Sequence, residues 1–226
     1  MTVDYFEQDA VWRDALDEYQ VQTSLTIADL MPGDVRSVLD VGCGDGGVSR
    51  PLAARVELFG VDRSRSALRR FAGRAAVGDA TELPFADRAF DLVMANDVLE
   101  HLDPDALRQT LAELRRVSRR YVLLTVPLRE AWLDNTWICA RCGARSHVNL
   151  HVGAWTEERL LGVFGDGEGA DGLVPLVACY SGALYDRPSD GLQALRDAVT
   201  AGSPTATAVC GRCGHKTTGL GFPGAV

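Results

Sequence analysis

The sequence has no surplus of positive charge. Its 226 residues include 23 lysines and arginines against 31 aspartates and glutamates, which gives a formal net charge of -8. Arginines are frequent between residues 63 and 74 and between 115 and 120, but both stretches fall in predicted helices and form no basic tract. A protein that binds the phosphate backbone of nucleic acid needs such a tract. We therefore expect no nucleic-acid partner.

Long apolar segments are also missing. No apolar run approaches the roughly 20 residues that span a bilayer, and the first residues lack the basic region and apolar core of a secretory signal. We expect no membrane partner and a cytoplasmic location. In that compartment the six cysteines are more often thiols or metal ligands than disulfides. A chain of this length is typical of one domain that carries a small additional element.

The most informative stretch is residues 38–47, VLDVGCGDGG. An apolar run reaches Asp40 and is followed by glycines, the pattern of a buried strand that turns tightly into a helix over residues 47–55. Glycine lets the backbone approach a ligand closely. The spacing of Gly42, Gly44 and Gly47 also fits a dinucleotide-binding turn. A carboxylate at position 40, however, favours a ligand with an ammonium group and repels a pyrophosphate.

Three later segments carry polar residues at predicted strand ends. Asp62 ends a strand over residues 56–61 and stands twenty residues after Gly42, an offset at which an acid can accept hydrogen bonds from both ribose hydroxyls. A short third strand, residues 74–77, leads into GDATELPF at 78–85, and a fourth strand begins at Phe90. Ligands of open α/β sheets bind at the carboxyl ends of the strands, where Asn96, Asp97 and His101 fall.

These four segments, in this order over residues 38–102, closely resemble the motifs of class I S-adenosylmethionine-dependent methyltransferases. The resemblance implies an α/β fold with a Rossmann-like, seven-stranded sheet, and S-adenosylmethionine as cofactor. It also implies that the carboxylate of Asp79 accepts from the adenine amino group while the neighbouring backbone N–H meets the ring. The predicted cofactor-binding residues are Asp40, Gly42, Cys43, Gly44, Asp62, Arg63, Asp79, Ala80, Asn96 and Asp97.

Residues 1–32 are predicted to form a helical segment ahead of the methyltransferase domain, which spans residues 33–226. Periodic apolar residues between positions 9 and 30 indicate the helix, and Pro32 with Gly33 ends it. In the resembling family such a segment often covers the mouth of the site. Tyr5, Phe6, Trp12 and Tyr19 are therefore lid candidates, with simple packing on the sheet as the alternative.

Two near-identical cysteine pairs follow the fifth predicted strand, residues 121–126. Cys139 and Cys142 form one C-x-x-C, Cys210 and Cys213 the other, and a glycine follows each. Four thiolates at this spacing predict a tetrahedral structural zinc site, built from elements around 139–151 and 210–215. His147 or His151 could instead replace one cysteine. Residues 126–151 are similar to a bacterial subgroup of the family that inserts a zinc knuckle after strand five.

The tail allows two arrangements. A sixth strand is predicted over residues 173–180 and a helix over 191–201. The last strand of the sheet could lie near residues 216–220, after the second cysteine pair. If residues 205–209 formed it, the insertion would have to reach around the sheet.

Methyl transfer from a sulfonium depends mainly on alignment, and a base is needed only where the acceptor loses a proton. His101, His147 and His151 are the candidate catalytic bases, because imidazole titrates near neutral pH. The leading hypothesis is O- or N-methylation of a small molecule, such as a sugar or specialised metabolite. The alternatives are a zinc-stabilised cofactor-binding interaction module, a protein methyltransferase, and a catalytic zinc with an open coordination position.

Overall fold

The computed structural model describes residues 5–12, 15–130, 135–147, 149–163, 208–209, 212–213 and 216–217. The sixth strand and the late helix predicted from the sequence lie outside these residues. Among the helices described, none combines the length and apolar character needed to cross a membrane.

Five parallel strands form the central sheet in the order β3-β2-β1-β4-β5. They are β1 Ser37–Val41, β2 Glu57–Asp62, β3 Arg74–Val77, β4 Phe90–Asn96 and β5 Ser118–Thr125. The strand order reverses between β1 and β4, which is the point where ligands bind in sheets of this type. The predicted α/β, Rossmann-like fold with a parallel sheet is confirmed. Of the seven strands expected, the described residues supply five.

The helices begin where the sequence supplies caps. Helix α1, Glu18–Leu30, starts at Asp17, whose carboxylate accepts from the Gln20 backbone N–H at 2.7 Å. The later helices are α2 Arg65–Leu68, α3 Pro104–Val117 and α4 Glu157–Gly162, and short 3-10 turns occur at Asp9–Trp12, Arg50–Ala54 and Leu99–His101.

The helix predicted over residues 47–55 is wrong as stated. The chain makes turns there and then the single 3-10 stretch Arg50–Ala54. Gly46, just before it, has a φ of 76°, and Pro51 lacks a backbone N–H. Gly46 has a left-handed backbone conformation and Pro51 cannot donate a backbone hydrogen bond, so a regular α-helix does not form between them.

Apolar layers cover both faces of the sheet. One contains Leu39, Val93 and Leu114, and the other contains Val38, Met94 and Ile27 from α1. Successive residues of β1 thus point into different layers. A strand buried on both faces is apolar nearly throughout, so the acid at position 40 is an exception that needs a local explanation.

Two small antiparallel hairpins lie apart from the sheet. In the first, β6 Thr136–Ile138 pairs with β7 Arg145–His147. In the second, β8 Ala208–Val209 pairs with β9 Lys216–Thr217. Each hairpin spans one C-x-x-C pair. Strand β8 lies in one of the two stretches where a last strand was predicted, and β9 lies in the other. These two strands pair with each other, and neither belongs to the five-stranded sheet.

Candidate active site

A cleft of about 300 Å³ opens at the carboxyl ends of the strands. Its volume is at the lower end of the range for small-molecule sites. All the residues predicted to bind the cofactor line it, namely Asp40, Gly42, Cys43, Gly44, Asp62, Arg63, Asp79, Ala80, Asn96 and Asp97. The fold therefore brings residues from four strand ends to one surface.

The turn after β1 forms the floor of the cleft. The backbone N–H groups of Gly42 and Cys43 both donate to the Val61 carbonyl, at 2.7 and 3.1 Å, which ties the turn to β2. Gly42 has a φ of 71°, and a Cβ placed there would lie 2.4 Å from a methyl of Val98. A side chain at this position would be strained and would also clash.

Asp40 lies under this turn and is 3% exposed. Burial, with a contribution from the charge of Asp62, raises the pKa of Asp40 to about 7. The carboxylate would ionise more readily beside a cation. This behaviour suits a ligand that brings an ammonium group to the end of β1.

Asp62 is already oriented by the backbone. Its Oδ2 accepts from the Gly44 N–H at 2.8 Å and its Oδ1 from the Ser64 N–H at 2.7 Å. Burial nevertheless raises the pKa of Asp62. A carboxylate offers about four lone-pair positions, so the two oxygens can still accept from two neighbouring ribose hydroxyls.

Asp79 is held on the far side of the cleft. Its Oδ1 accepts from the backbone N–H and the hydroxyl of Thr81, at 3.0 and 2.8 Å, and its Oδ2 lies 3.1 Å from the Arg63 guanidinium. Although partial burial opposes the shift, these contacts keep the pKa of Asp79 below its ordinary value. Asp79 therefore stays ionised and can accept a hydrogen bond from an amino group.

The end of β4 supplies Asn96 and Asp97. Asp97 has a φ of 52°, and its Oδ1 accepts from the Tyr19 hydroxyl at 3.3 Å. The Thr125 hydroxyl donates to the Asn96 side-chain oxygen at 2.7 Å. Burial raises the pKa of Asp97. These contacts join α1, β4 and β5 at one end of the cleft.

The N-terminal segment lies across the cleft. Phe6 and Trp12 line it, and a Cβ at Gly44 would come within 2.6 Å of the Trp12 ring. The Phe6 carbonyl accepts from the Trp12 indole and from the Ser64 hydroxyl, each at 2.7 Å. Two of the four lid candidates thus face the cleft, while Tyr19 reaches it through Asp97 and Tyr5 packs on Phe6 with ring centroids 5.0 Å apart.

The three predicted catalytic histidines lie together, but only His101 is among the residues that line the cleft. Its ring centroid is 4.9 Å from that of His151, which stacks on His147 at 4.5 Å. Burial and the neighbouring His151 lower the pKa of His101 to about 4. A neutral imidazole therefore faces the cleft at physiological pH.

Two glutamates that the sequence analysis did not single out complete this group. Glu130 Oε2 lies 2.6 Å from His151 Nδ1, and Glu130 Oε1 lies 3.3 Å from His147 Nε2. Glu100 is 1% exposed, and burial together with the charge of Asp97 raises its pKa to about 9. Both follow the carboxyl ends of strands, β4 and β5, and that position was the signal that could have identified them.

The cysteines form a separate cluster. Sγ atoms of Cys139, Cys142 and Cys213 all lie within 4.8 Å of one another, and those of Cys139 and Cys213 are 3.8 Å apart. That separation is far too long for a disulfide. It equals the roughly 3.8 Å expected between two sulfurs bound tetrahedrally to zinc at about 2.3 Å. Cys210 lies outside the described residues, and His147 and His151 belong to the glutamate cluster instead.

Residues 38–120 match the family model described as "Methyltransferase domain". This stretch runs from β1 to within β5 and includes all ten of the residues predicted to bind the cofactor.

Several curated proteins resemble part of the chain. A probable tocopherol O-methyltransferase from Oryza sativa is 39% identical over 115 residues, covering 43% of this chain and 31% of that protein. A malonyl-[acyl-carrier protein] O-methyltransferase from Herminiimonas arsenicoxydans is 33% identical over 121 residues, 50% of this chain and 45% of that protein. The chain therefore spans less than half the length of these relatives.

A solved structure also resembles the chain. The PH0226 protein from Pyrococcus horikoshii is 26% identical, covers 57% of this chain and 68% of its own, and superimposes with a TM-score of 0.48.

Proposed function

We propose that residues 38–120, which match the family model described as "Methyltransferase domain", form a class I methyltransferase domain, and that the chain transfers a methyl group from S-adenosylmethionine to a small molecule. One observation carries the proposal. Three carboxylates at the ends of β1, β2 and β3, namely Asp40, Asp62 and Asp79, line the same cleft. They offer acceptors for the ammonium, the ribose and the adenine of one ligand.

We assign different parts of the cofactor to different residues of the cleft. Asp40 pairs with the ammonium of the methionyl end, and the glycine turn lets the backbone of Gly42, Cys43 and Gly44 approach it. Asp62 accepts from the ribose hydroxyls. Asp79 and the backbone of Ala80 bind the adenine.

The chemistry needs little from side chains beyond alignment. The cofactor supplies an electrophilic methyl group on a sulfonium. The walls of the cleft, with Asn96 and Asp97 at the β4 end and Phe6 and Trp12 above, would hold donor and acceptor in line and exclude water. Where the acceptor must lose a proton, we propose that the group of His101, His147 and His151 takes part, with His101 nearest the cleft.

The acceptor we propose is a small molecule rather than nucleic acid. The net charge of -8 gives no electrostatic attraction for a phosphate backbone. Similar curated proteins include those named as methylating tocopherol, malonyl-[acyl-carrier protein] and ajmaline. These names support O- or N-methylation without distinguishing between them.

We further propose that the cysteine cluster holds a structural zinc ion. Cys139, Cys142 and Cys213 supply three thiolates, and Cys210 would supply the fourth. At the turn of the first hairpin, the Gly143 N–H donates to the Cys139 carbonyl at 2.8 Å. Trp137 and Ala144 pack against the cysteines. A zinc ion would join two hairpins that are too small to be stable alone.

Calorimetry with S-adenosylmethionine and its demethylated product tests the cofactor. We expect both to bind the purified chain, Asp62→Asn to weaken binding by about tenfold or more through its ribose contacts, and the exposed Asp105→Asn to change nothing. Failure of the wild-type chain to bind either compound would overturn the proposal.

Turnover separates the remaining alternatives. The chain is incubated with a methyl-labelled donor and a fractionated metabolite extract. Label in a small molecule supports the proposed reaction, and label in protein supports a protein methyltransferase. Cofactor binding without transfer to either favours the interaction module.

A further inference from the structure

The carboxyl group of Glu100 has an unusual environment. The side chain is 1% exposed, and neither of its oxygens has a hydrogen-bond partner among the described residues. The same holds for Nδ1 of the neighbouring His101. The nearest His151 nitrogen, Nε2, is 3.9 Å from Glu100 Oε1, beyond hydrogen-bond distance. Burial of a carboxyl group without partners is costly, so a missing ligand is the natural explanation.

The surrounding hydrogen bonds assign the protons of the imidazoles. His147 Nδ1 accepts from the backbone N–H groups of Asn149 and His151, at 3.2 and 3.4 Å. Its proton therefore lies on Nε2, next to Glu130 Oε1. His151 Nδ1 donates to the other oxygen of Glu130 at 2.6 Å. In a neutral His151 ring the lone pair is therefore on Nε2, the nitrogen that lies near Glu100.

We propose that Glu100, His101 and His151 bind a divalent cation beside the cofactor cleft. Each residue offers one ligand atom, and these atoms lie within 4.8 Å of one another. Two imidazoles and a carboxylate suit zinc or another first-row divalent ion and leave coordination positions open. Glu130 is a positioning residue, because a carboxylate on the second nitrogen of a metal-binding histidine fixes the ring.

The two metal sites differ in chemistry. The cysteine cluster offers sulfur, whereas the site proposed here offers nitrogen and oxygen. His101 also lines the cleft, so a cation bound to it would lie close to an acceptor held there. An acceptor hydroxyl bound to that cation would lose its proton more easily. Only this consequence rests on the proposed methyl transfer; the metal site itself does not.

Cobalt titration of the metal-depleted full chain tests the site. Cobalt bound to thiolates gives a strong sulfur-to-metal charge-transfer band, and cobalt bound to nitrogen and oxygen gives only weak visible bands. We expect two equivalents to bind, of which only one develops the charge-transfer band. Binding of a single equivalent with that band would overturn the proposal. Binding of a single equivalent without it would support the site and count against the cysteine cluster.

Variants assign the second equivalent. Glu100→Gln keeps the shape of the protonated side chain and should abolish that equivalent while retaining the thiolate band. The exposed Glu57→Gln should bind like the wild type. Glu130→Gln should weaken the second equivalent by about 10–100-fold, and Glu130→Asp should recover part of the affinity. If Glu100→Gln still bound both ions with unchanged affinity, the assignment would be wrong.

If Glu100→Gln does not fold, X-ray absorption of cobalt bound to the double variant Cys139→Ser with Cys142→Ser tests the same ligands. Nitrogen and oxygen ligands without sulfur would support the site. Sulfur among the ligands, or no bound cobalt, would overturn it.

Discussion

At the scale of single residues, the acid under the glycine turn combines a stability cost with a binding role. Asp40 is buried at the end of β1, and burial raises its pKa to about 7. The pKa in the folded protein exceeds that of an unfolded chain, so the contribution of Asp40 to stability is present below about pH 4 and is lost as the pH rises through 7. An ammonium ligand would offset this cost by pairing with the carboxylate.

The affinity for S-adenosylmethionine should therefore depend on pH. Between pH 5 and 7 we expect the dissociation constant to fall about tenfold per pH unit, because binding requires ionised Asp40, and to level off above 7. Calorimetry across this range measures it. Methylthioadenosine, which lacks the ammonium, is the matched control and should show a much weaker dependence. An equal slope for both ligands, or a slope that persists in Asp40→Asn, would contradict the assignment.

At the scale of elements, one carboxylate joins the starts of β1 and β4. Asp91 Oδ2 accepts from the backbone N–H groups of Arg36 and Ser37, at 2.9 and 3.1 Å, and its Oδ1 accepts from Arg119 at 2.7 Å. The N–H of Arg36 is the largest cause that lowers the pKa of Asp91. Asp91 thus helps to align β1 and β4, between which the strand order reverses.

Asp91→Ala should lower the free energy of unfolding by about 1–3 kcal/mol at pH 7, because two partly buried N–H groups lose their acceptor. Urea denaturation measures the change, with the exposed Asp29→Ala as a control of nearly unchanged stability. Since the pKa of Asp91 is lowered in the folded protein, its contribution is present above about pH 4 and is lost as the pH falls further. The difference between wild type and variant should accordingly shrink at pH 3; a constant difference would argue against the charged group.

At the scale of the whole molecule, residues distant in the chain cover the cleft. The segment before α1 is attached to α2, where the Glu7 carboxylate accepts from the Arg65 N–H at 3.0 Å, and Trp12 packs over Gly44. This arrangement would slow the escape of a ligand from the glycine turn.

Trp12→Ala should speed dissociation of S-adenosylmethionine by about tenfold, with a smaller effect on association, since loss of apolar cover acts mainly on the dissociation rate. Stopped-flow displacement measures both rates. Val21→Ala, an exposed residue on α1, should leave them unchanged. Equal rates in wild type and Trp12→Ala would show that the segment does not retain the ligand.

The cysteine cluster gives a second prediction at this scale. A strong chelator should lower the melting temperature by about 5 °C or more, because metal binding contributes directly to the folding of small hairpins. Differential scanning calorimetry measures the shift. The double variant Cys139→Ser with Cys142→Ser should lose most of this response, while Glu100→Gln should keep it. An unchanged melting temperature of the wild-type protein in the presence of the chelator would count against the zinc site.

What the sequence alone determined is mostly local. β3 has the bounds predicted from its few residues, and the glycine turn follows β1. Apolar periodicity, caps and turn residues act over a few positions, so neighbouring residues suffice to identify them. The same local reasoning failed over residues 47–55, where the backbone conformation of Gly46 and the missing N–H of Pro51 prevent the predicted helix.

Only the tertiary structure decided which distant residues meet. Cys139 and Cys213 approach across 74 positions, Glu100 and Glu130 join the histidines, and Trp12 lies on Gly44. Such contacts depend on how the sheet, helices and hairpins pack, and no short stretch of sequence records that packing. His147 and His151 show this directly, because they follow the first cysteine pair closely in the sequence, yet in the structure they lie against two glutamates next to the cleft.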